Sequence, residues 1–198
     1  MREHRESRSL WALAGFGLAV AGVAWYGSRY APPKKSRSWY RSLDKPSFTP
    51  PDSAFPIIWT SLYGLMAWSG WRIWSSPPSP ERTRALRLWA AQLATNAKWS
   101  KLFFGDRRPD LSLVDSLLLE LEIAGYIGQA RKVDSAAAAA FLPYAAWVAY
   151  ATVLNGEILR LNPDASEILS DTHTGGNGRE PGIRSFLQLI RDVAAVIK

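Results

Sequence analysis

No cysteine occurs among the 198 residues. Its absence excludes a disulfide framework, a thiolate metal site and a thiol nucleophile. Histidine is nearly as scarce: the only two, His4 and His173, lie in polar tails. Haem-iron ligation by histidine and a Ser-His-Asp set therefore lack their residues in the apolar runs. No Gly-rich phosphate loop or metal-ligand spacing stands in those runs either. A conventional enzyme is not expected, no cofactor is required by any motif, and no metal site is expected. An acidic balance is also missing, since 24 Lys and Arg face 17 Asp and Glu for a net charge of +7. A basic chain with ten Trp could bind nucleic acid if cations and aromatics shared one surface. Here the cations lie mainly between apolar runs and the Trp inside or beside them, so nucleic acid is not an expected partner.

What the chain does have is apolar runs of membrane length. A mean hydropathy of −0.11 averages over runs that alternate with charged segments. Leu10–Tyr26 is charge-free after a head carrying Arg2, Arg5 and Arg8, the pattern of a first span or of a cleavable signal peptide. Further runs follow at 56–74, 86–104, 111–130 and 135–159, separated by the breaks Ser75–Pro80, Gly105–Pro109 and Arg131–Asp134. Lys98, Lys101, Asp115, Glu120 and Glu122 interrupt the third and fourth runs, which would also suit a soluble bundle with wet charges. Against that, Trp pairs flank several runs (Trp11 and Trp25, Trp59 and Trp74, Trp89 and Trp99), as in interfacial aromatic belts. Trp11, Trp25, Trp74 and Trp89 read as such anchors. The reading is an all-α integral membrane bundle of five transmembrane helices, its surroundings a lipid bilayer. The Pro-rich connector 27–55 predicts a shaped loop rather than a helix, because proline fixes φ and removes a donor.

Three motifs carry a resemblance. Trp39, Tyr40, Leu43, Lys45, Pro46, Pro50 and Pro51 precede Phe55, Pro56, Trp59, Leu62 and Tyr63. Gln92, Leu93, Asn96, Trp99, Phe103, Phe104 and Gly105 form a second set, and Pro143, Tyr144, Trp147, Ala151, Leu154 and Asn155 a third. In this order and spacing, over about residues 10–162, the chain resembles the tryptophan-rich sensory protein / translocator protein (TspO/MBR) family, also called the peripheral benzodiazepine receptor family. The resemblance implies five tilted spans around a pocket roofed by the Pro-rich loop between the first two. It implies a porphyrin- or haem-type tetrapyrrole ligand, a homodimer, and a bacterial cell membrane or a mitochondrial or other organellar membrane. It leaves sensing, translocation and scavenging open. The chain departs from the family at Lys98 and Lys101, and Gly156 and Glu157 stand where animal members carry an aromatic of the cholesterol pattern, so no steroid role is implied.

The residues themselves suit a planar ligand with carboxylates, which needs aromatic faces and a cationic rim. Trp147, Ala151 and Asn155 recur at intervals of four, a stripe on one helix face; small Ala151 leaves volume beside the indole. Phe55 and Trp59 form a like pair. By resemblance both stripes face one cavity under a lid of Lys45, Pro46, Pro50 and Pro51, joined by Trp39, Asn96, Trp99 and Leu154. Asn96 and Asn155 have two readings, ligand contact or interhelical hydrogen bonding. The intramembrane charges admit a second function, a proton- or ion-coupled small-solute transporter, and a structural scaffold is a third. A short turn makes the third and fourth runs antiparallel neighbours, so Asp115 is expected to pair with Lys98 or Lys101, unless both lysines reach the headgroups instead. Beyond the bundle, 163–182 reads as a polar linker and 183–198 as an amphipathic helix, on a membrane surface or docked on the bundle.

Overall fold

The computed structural model describes residues 2–30 and 34–166, which are mostly helical, with no strand among them. In order they are α1 (Arg2–Ser28), α2 (Lys34–Ser42), α3 (Ala54–Ser75), α4 (Pro80–Ser100), a π-helical turn (Lys101–Gly105), α5 (Pro109–Ala130), α6 (Ser135–Ala139), α7 (Leu142–Leu161) and a 3₁₀ turn (Pro163–Ser166). Helix starts follow their chemistry. The Ser79 hydroxyl accepts from the Arg82 amide at 3.0 Å, and Pro80 stands in the first turn of α4, where its missing N–H costs nothing. The same turn is tied back to α3, since Arg82 Nε donates to the Ile73 carbonyl at 3.2 Å. Asp134 caps α6 by accepting from the Ala137 amide at 3.0 Å, and it also accepts from Arg72 Nε at 2.7 Å.

Helices α4 and α5 pack antiparallel, α5 also packs on α7, and α1 lies on α3 and α4. A core of Met66, Ile73, Ile123, Tyr126, Phe141 and Tyr144 runs through the middle. Helix α1 contributes Val20 to that core and sets Phe16 edge-on against Trp89 at 4.8 Å, so it packs as a member of the bundle. A second cluster sits at the end near α2, built from Trp39, Leu43, Phe103, Leu154 and Ile158.

Several sequence expectations are corrected. The connector contains a helix, α2, because Lys34–Ser42 itself holds no proline; the prolines only bracket it. The run at 135–159 is two helices, broken near Phe141 where Pro143, in the first turn of α7, cannot continue the α6 ladder. The third run starts earlier, at Pro80, and extends through a wide turn to Gly105. Leu10–Ser28 and Ser135–Leu161 are long and apolar enough to cross a membrane. Helix α3, at 22 residues, would reach about 33 Å, but its Trp, Tyr and Ser hold its hydropathy down. Apart from Pro163–Ser166, the linker and the C-terminal helix fall outside the described residues.

Candidate functional site

The backbones of α3 and α7 stay apart, and aromatic side chains bridge the seam between them. Phe55 meets Trp147 edge-on at 5.8 Å, and Trp59 meets Tyr144 at 6.3 Å and Tyr63 at 5.4 Å. Trp147 also stacks on Tyr150, with centroids 5.5 Å apart and planes 29° off parallel. Its Nε1 is buried and has no hydrogen-bond partner among the described residues. A buried indole N–H ordinarily finds an acceptor, so this donor is available to one that enters the seam. Ala151, one turn further along α7, is partly exposed. Phe55, Trp59, Trp147 and Ala151 therefore share one region.

The other sequence-named residues divide. Asn96 is held on both sides: the Tyr63 hydroxyl donates to its Oδ1 at 3.1 Å, and its Nδ2 donates to the Tyr144 hydroxyl at 3.1 Å. Asn155 joins α7 to α5. Its Oδ1 accepts from the Ser112 hydroxyl at 2.9 Å and the Leu113 amide at 3.0 Å, while its Nδ2 donates to the Pro109 carbonyl at 3.2 Å. For both amides interhelical bonding is what the structure realises. Trp99 stacks flat on Phe103, centroids 5.0 Å apart and 10° off parallel, and with Trp39 and Leu154 it belongs to the second cluster, toward α2.

The connector lies against that end of α7. Asn162 Oδ1 accepts from the Asp44 amide at 2.9 Å and its Nδ2 donates to the Asp44 carbonyl at 2.8 Å. The Tyr150 hydroxyl donates to the Phe48 carbonyl at 2.6 Å. The Lys45 ammonium sits 4.5 Å from the centre of the Tyr40 ring and donates to the Leu43 carbonyl at 3.0 Å. Burial, with Asp52 adding to it, pushes the Tyr40 phenol above its ordinary value, so the ring under this cation stays neutral. Pro46, Pro50 and Pro51 shape the stretch, with the Thr49 amide bonded to the Pro46 carbonyl at 3.0 Å and the Ala54 amide to Pro51 at 2.9 Å. Sequence reasoning passed over Tyr150 and Asn162, although Tyr150, three residues after Trp147, shares its helix face.

Two shallow grooves open elsewhere. One of about 350 Å³ is lined by Ala12, Gly15, Phe16, Ala19, Trp74 and Trp89. The other, of about 370 Å³, is lined by Gly22, Val23, Tyr26, Ala94, Ala97 and Lys98. Neither touches a sequence-named site residue. Trp89 is not a lipid anchor: it is 6% exposed, and its Nε1 donates to the Met66 carbonyl at 2.9 Å. Trp11, Trp25 and Trp74 are exposed, as anchors would be. Asp115 pairs with Lys98, Nζ to Oδ1 being 2.6 Å, whereas Lys101 pairs with Asp106 at 2.6 Å.

A sequence model of the TspO/MBR family matches residues 15–161. A protein named tryptophan-rich sensory protein from Cereibacter sphaeroides is 37% identical over 153 residues, covering 77% of this chain and 92% of that one. Protein CrtK from Rhodobacter capsulatus is 34% identical over 163 residues, covering 82% and 98%. The translocator protein of Ovis aries is 37% identical over 143 residues, covering 71% and 84%.

Proposed function

The chain belongs to the TspO/MBR family, a membrane family whose relatives bear the names sensory protein and translocator protein, and from that premise we propose that it binds a tetrapyrrole in the seam between α3 and α7. In this reading α1, α3, α4, α5 and the α6–α7 pair are five spans of a multi-pass protein in a bacterial cell or organellar membrane. The 44–51 segment is the lid, and binding serves sensing, translocation or scavenging of the ligand. The observation that carries the reading is the Trp147 indole, flanked by Phe55 and Tyr150, with a buried N–H that has no partner among the described residues. A porphyrin offers that surface a π face and acceptor atoms. Admission requires the rings bridging the seam to part, so binding is coupled to a local rearrangement and not to a preformed hole. Trp39, Trp99 and Leu154 support the lid end, while Asn96 and Asn155 hold the helices at the spacing the seam needs.

Protoporphyrin added to the detergent-purified chain is expected to quench intrinsic Trp fluorescence saturably, at a fixed stoichiometry. Quenching that rises without limit and follows detergent concentration would refute binding at a site. A second reading has its own observation: Glu120 Oε1 and Glu122 Oε2 are buried with no hydrogen-bond partner among the described residues, and intramembrane carboxylates mark ion paths. Proton or ion flux in liposomes that Glu120→Gln abolishes would favour a coupled transporter over the ligand-binding reading.

A further inference from the structure

We infer that Tyr150 and Asn162 are positioning residues that latch the 44–51 segment onto α7 and couple its closure to what occupies the Trp147 ring. The latch stands on geometry; the occupant rests on the tetrapyrrole reading above. Asn162 grips both backbone groups of Asp44, 118 positions away, at 2.9 and 2.8 Å, in the way a neighbouring strand would. The same Nδ2 donates to the Ile158 carbonyl at 2.7 Å, so the grip is fixed to the end of α7. Four residues on, the Tyr150 hydroxyl holds the Phe48 carbonyl at 2.6 Å, and the two rings meet edge-on at 6.2 Å.

Between these anchor points the chain is stiff. Pro46 fixes its own φ, and the Thr49 hydroxyl and amide both donate to the Pro46 carbonyl, at 2.7 and 3.0 Å. Two attachments on a stiff piece restrain it as a unit, so releasing either one frees the segment to lift. The coupling follows from what else Tyr150 touches. Its ring stacks on Trp147 at 5.5 Å, and Phe55 meets the same indole at 5.8 Å. A planar ligand that stacks on Trp147 displaces one of these rings. Displacing Tyr150 withdraws its hydroxyl from Phe48. Displacing Phe55 pulls on the turn in which the Ala54 amide is bonded to Pro51. Either way occupancy shifts the strap, and by linkage the strap's closure shifts affinity and rates at the ring.

The test uses the full chain, unsubstituted and as Tyr150→Phe and Asn162→Ala, in lipid nanodiscs. Two readouts are followed: backbone hydrogen exchange over 44–49 and the dissociation rate of protoporphyrin. Without ligand, Asn162→Ala is expected to speed exchange at the Asp44 amide about tenfold, the shift one lost hydrogen bond of ordinary strength produces. Tyr150→Phe, which keeps the ring, is expected to speed exchange across the segment. In both variants dissociation accelerates by a similar factor, while the quench at saturation stays put and the melting temperature falls by no more than the lost hydrogen bonds account for; a merely structural role would lower the melting temperature and leave dissociation as it is. Unchanged exchange in both variants overturns the latch. Faster exchange with unchanged dissociation overturns the coupling. Absence of saturable binding to the unsubstituted chain overturns the ligand reading, and the exchange arm then decides the latch by itself.

Discussion

Asp115 is 4% exposed on α5, yet the ammonium 2.6 Å from it belongs to Lys98, whose side chain is 53% exposed. The long lysine stem spans the difference, keeping its head partly outside while it neutralises an otherwise lone buried carboxylate. Removing either partner is expected to destabilise, and a double-mutant cycle of Asp115→Asn and Lys98→Met should show a coupling of about 0.5–3 kcal/mol. Strictly additive losses in thermal unfolding would mean that the two do not interact in the folded protein. Asp134 offers a pH test outside the apolar segments. Burial raises its carboxyl, but the Ala137 amide and Arg72 outweigh that, holding it below the ordinary carboxylate value. A depressed folded value means that the stabilisation is complete above the unfolded value of about 3.9 and fades as pH falls through the folded one. The melting temperature should therefore drop below about pH 4, and Asp134→Ala, which also removes the α6 cap, should cost about 1–2 kcal/mol at neutral pH and flatten that drop. The spacing of the two short-turn helices made the Asp115 pair legible. The fate of Trp89 was not, because its burial depends on Phe16 of α1 and on a glycine of α3, which no local pattern brings together.

At the scale of elements, that glycine is the clearest constraint. A Cβ on Gly70 would stand 2.7 Å from both the Phe16 ring and Trp89 Nε1, at the meeting of α1, α3 and α4. Trp89 is held by Met66, so the crowding cannot be relieved by a small rotation. Gly70→Ala is expected to destabilise by about 1–3 kcal/mol through overpacking, seen as a lower melting temperature in detergent. Gly15→Ala, where nothing lies within 4 Å, should leave it unchanged or slightly higher. Equal effects at the two sites would refute the close approach. The elements themselves were largely readable, since breaks at Pro-rich and charged stretches separate the long helices. The helix in the connector is masked by the prolines on either side of it, although Lys34–Ser42 holds none, and its Trp39 meets Phe103 edge-on at 5.7 Å. The break at Phe141 was hidden by an apolar run in which only Pro143 differs.

For the molecule as a whole, sequence motifs carried the family and the membrane setting further than hydropathy did, because aromatic and charged residues lower the apolar score of α3, α4 and α5. The candidate site residues that the motifs name fall into three groups in the structure. Trp147, Phe55, Trp59 and Ala151 gather at the α3–α7 seam, Asn96 and Asn155 bond helix to helix, and Trp39, Trp99 and Leu154 pack beneath the connector. Family motifs cannot separate those groups, since a residue that holds two helices together and one that meets a ligand recur in the same pattern. The separation comes from which polar atoms the protein itself satisfies. The central claim, that a tetrapyrrole stacks on Trp147 in that seam, is tested most directly by titrating Trp fluorescence with protoporphyrin in Trp147→Leu, Ala151→Phe and Trp11→Leu, the last an exposed control. The account predicts a loss of about 1–3 kcal/mol for Trp147→Leu, on the scale of a base stacked on an aromatic side chain, near-complete loss for Ala151→Phe through bulk, and unchanged affinity for Trp11→Leu. Unperturbed affinity in both Trp147→Leu and Ala151→Phe, with the proteins folded, would contradict it, as would an equal loss in Trp11→Leu.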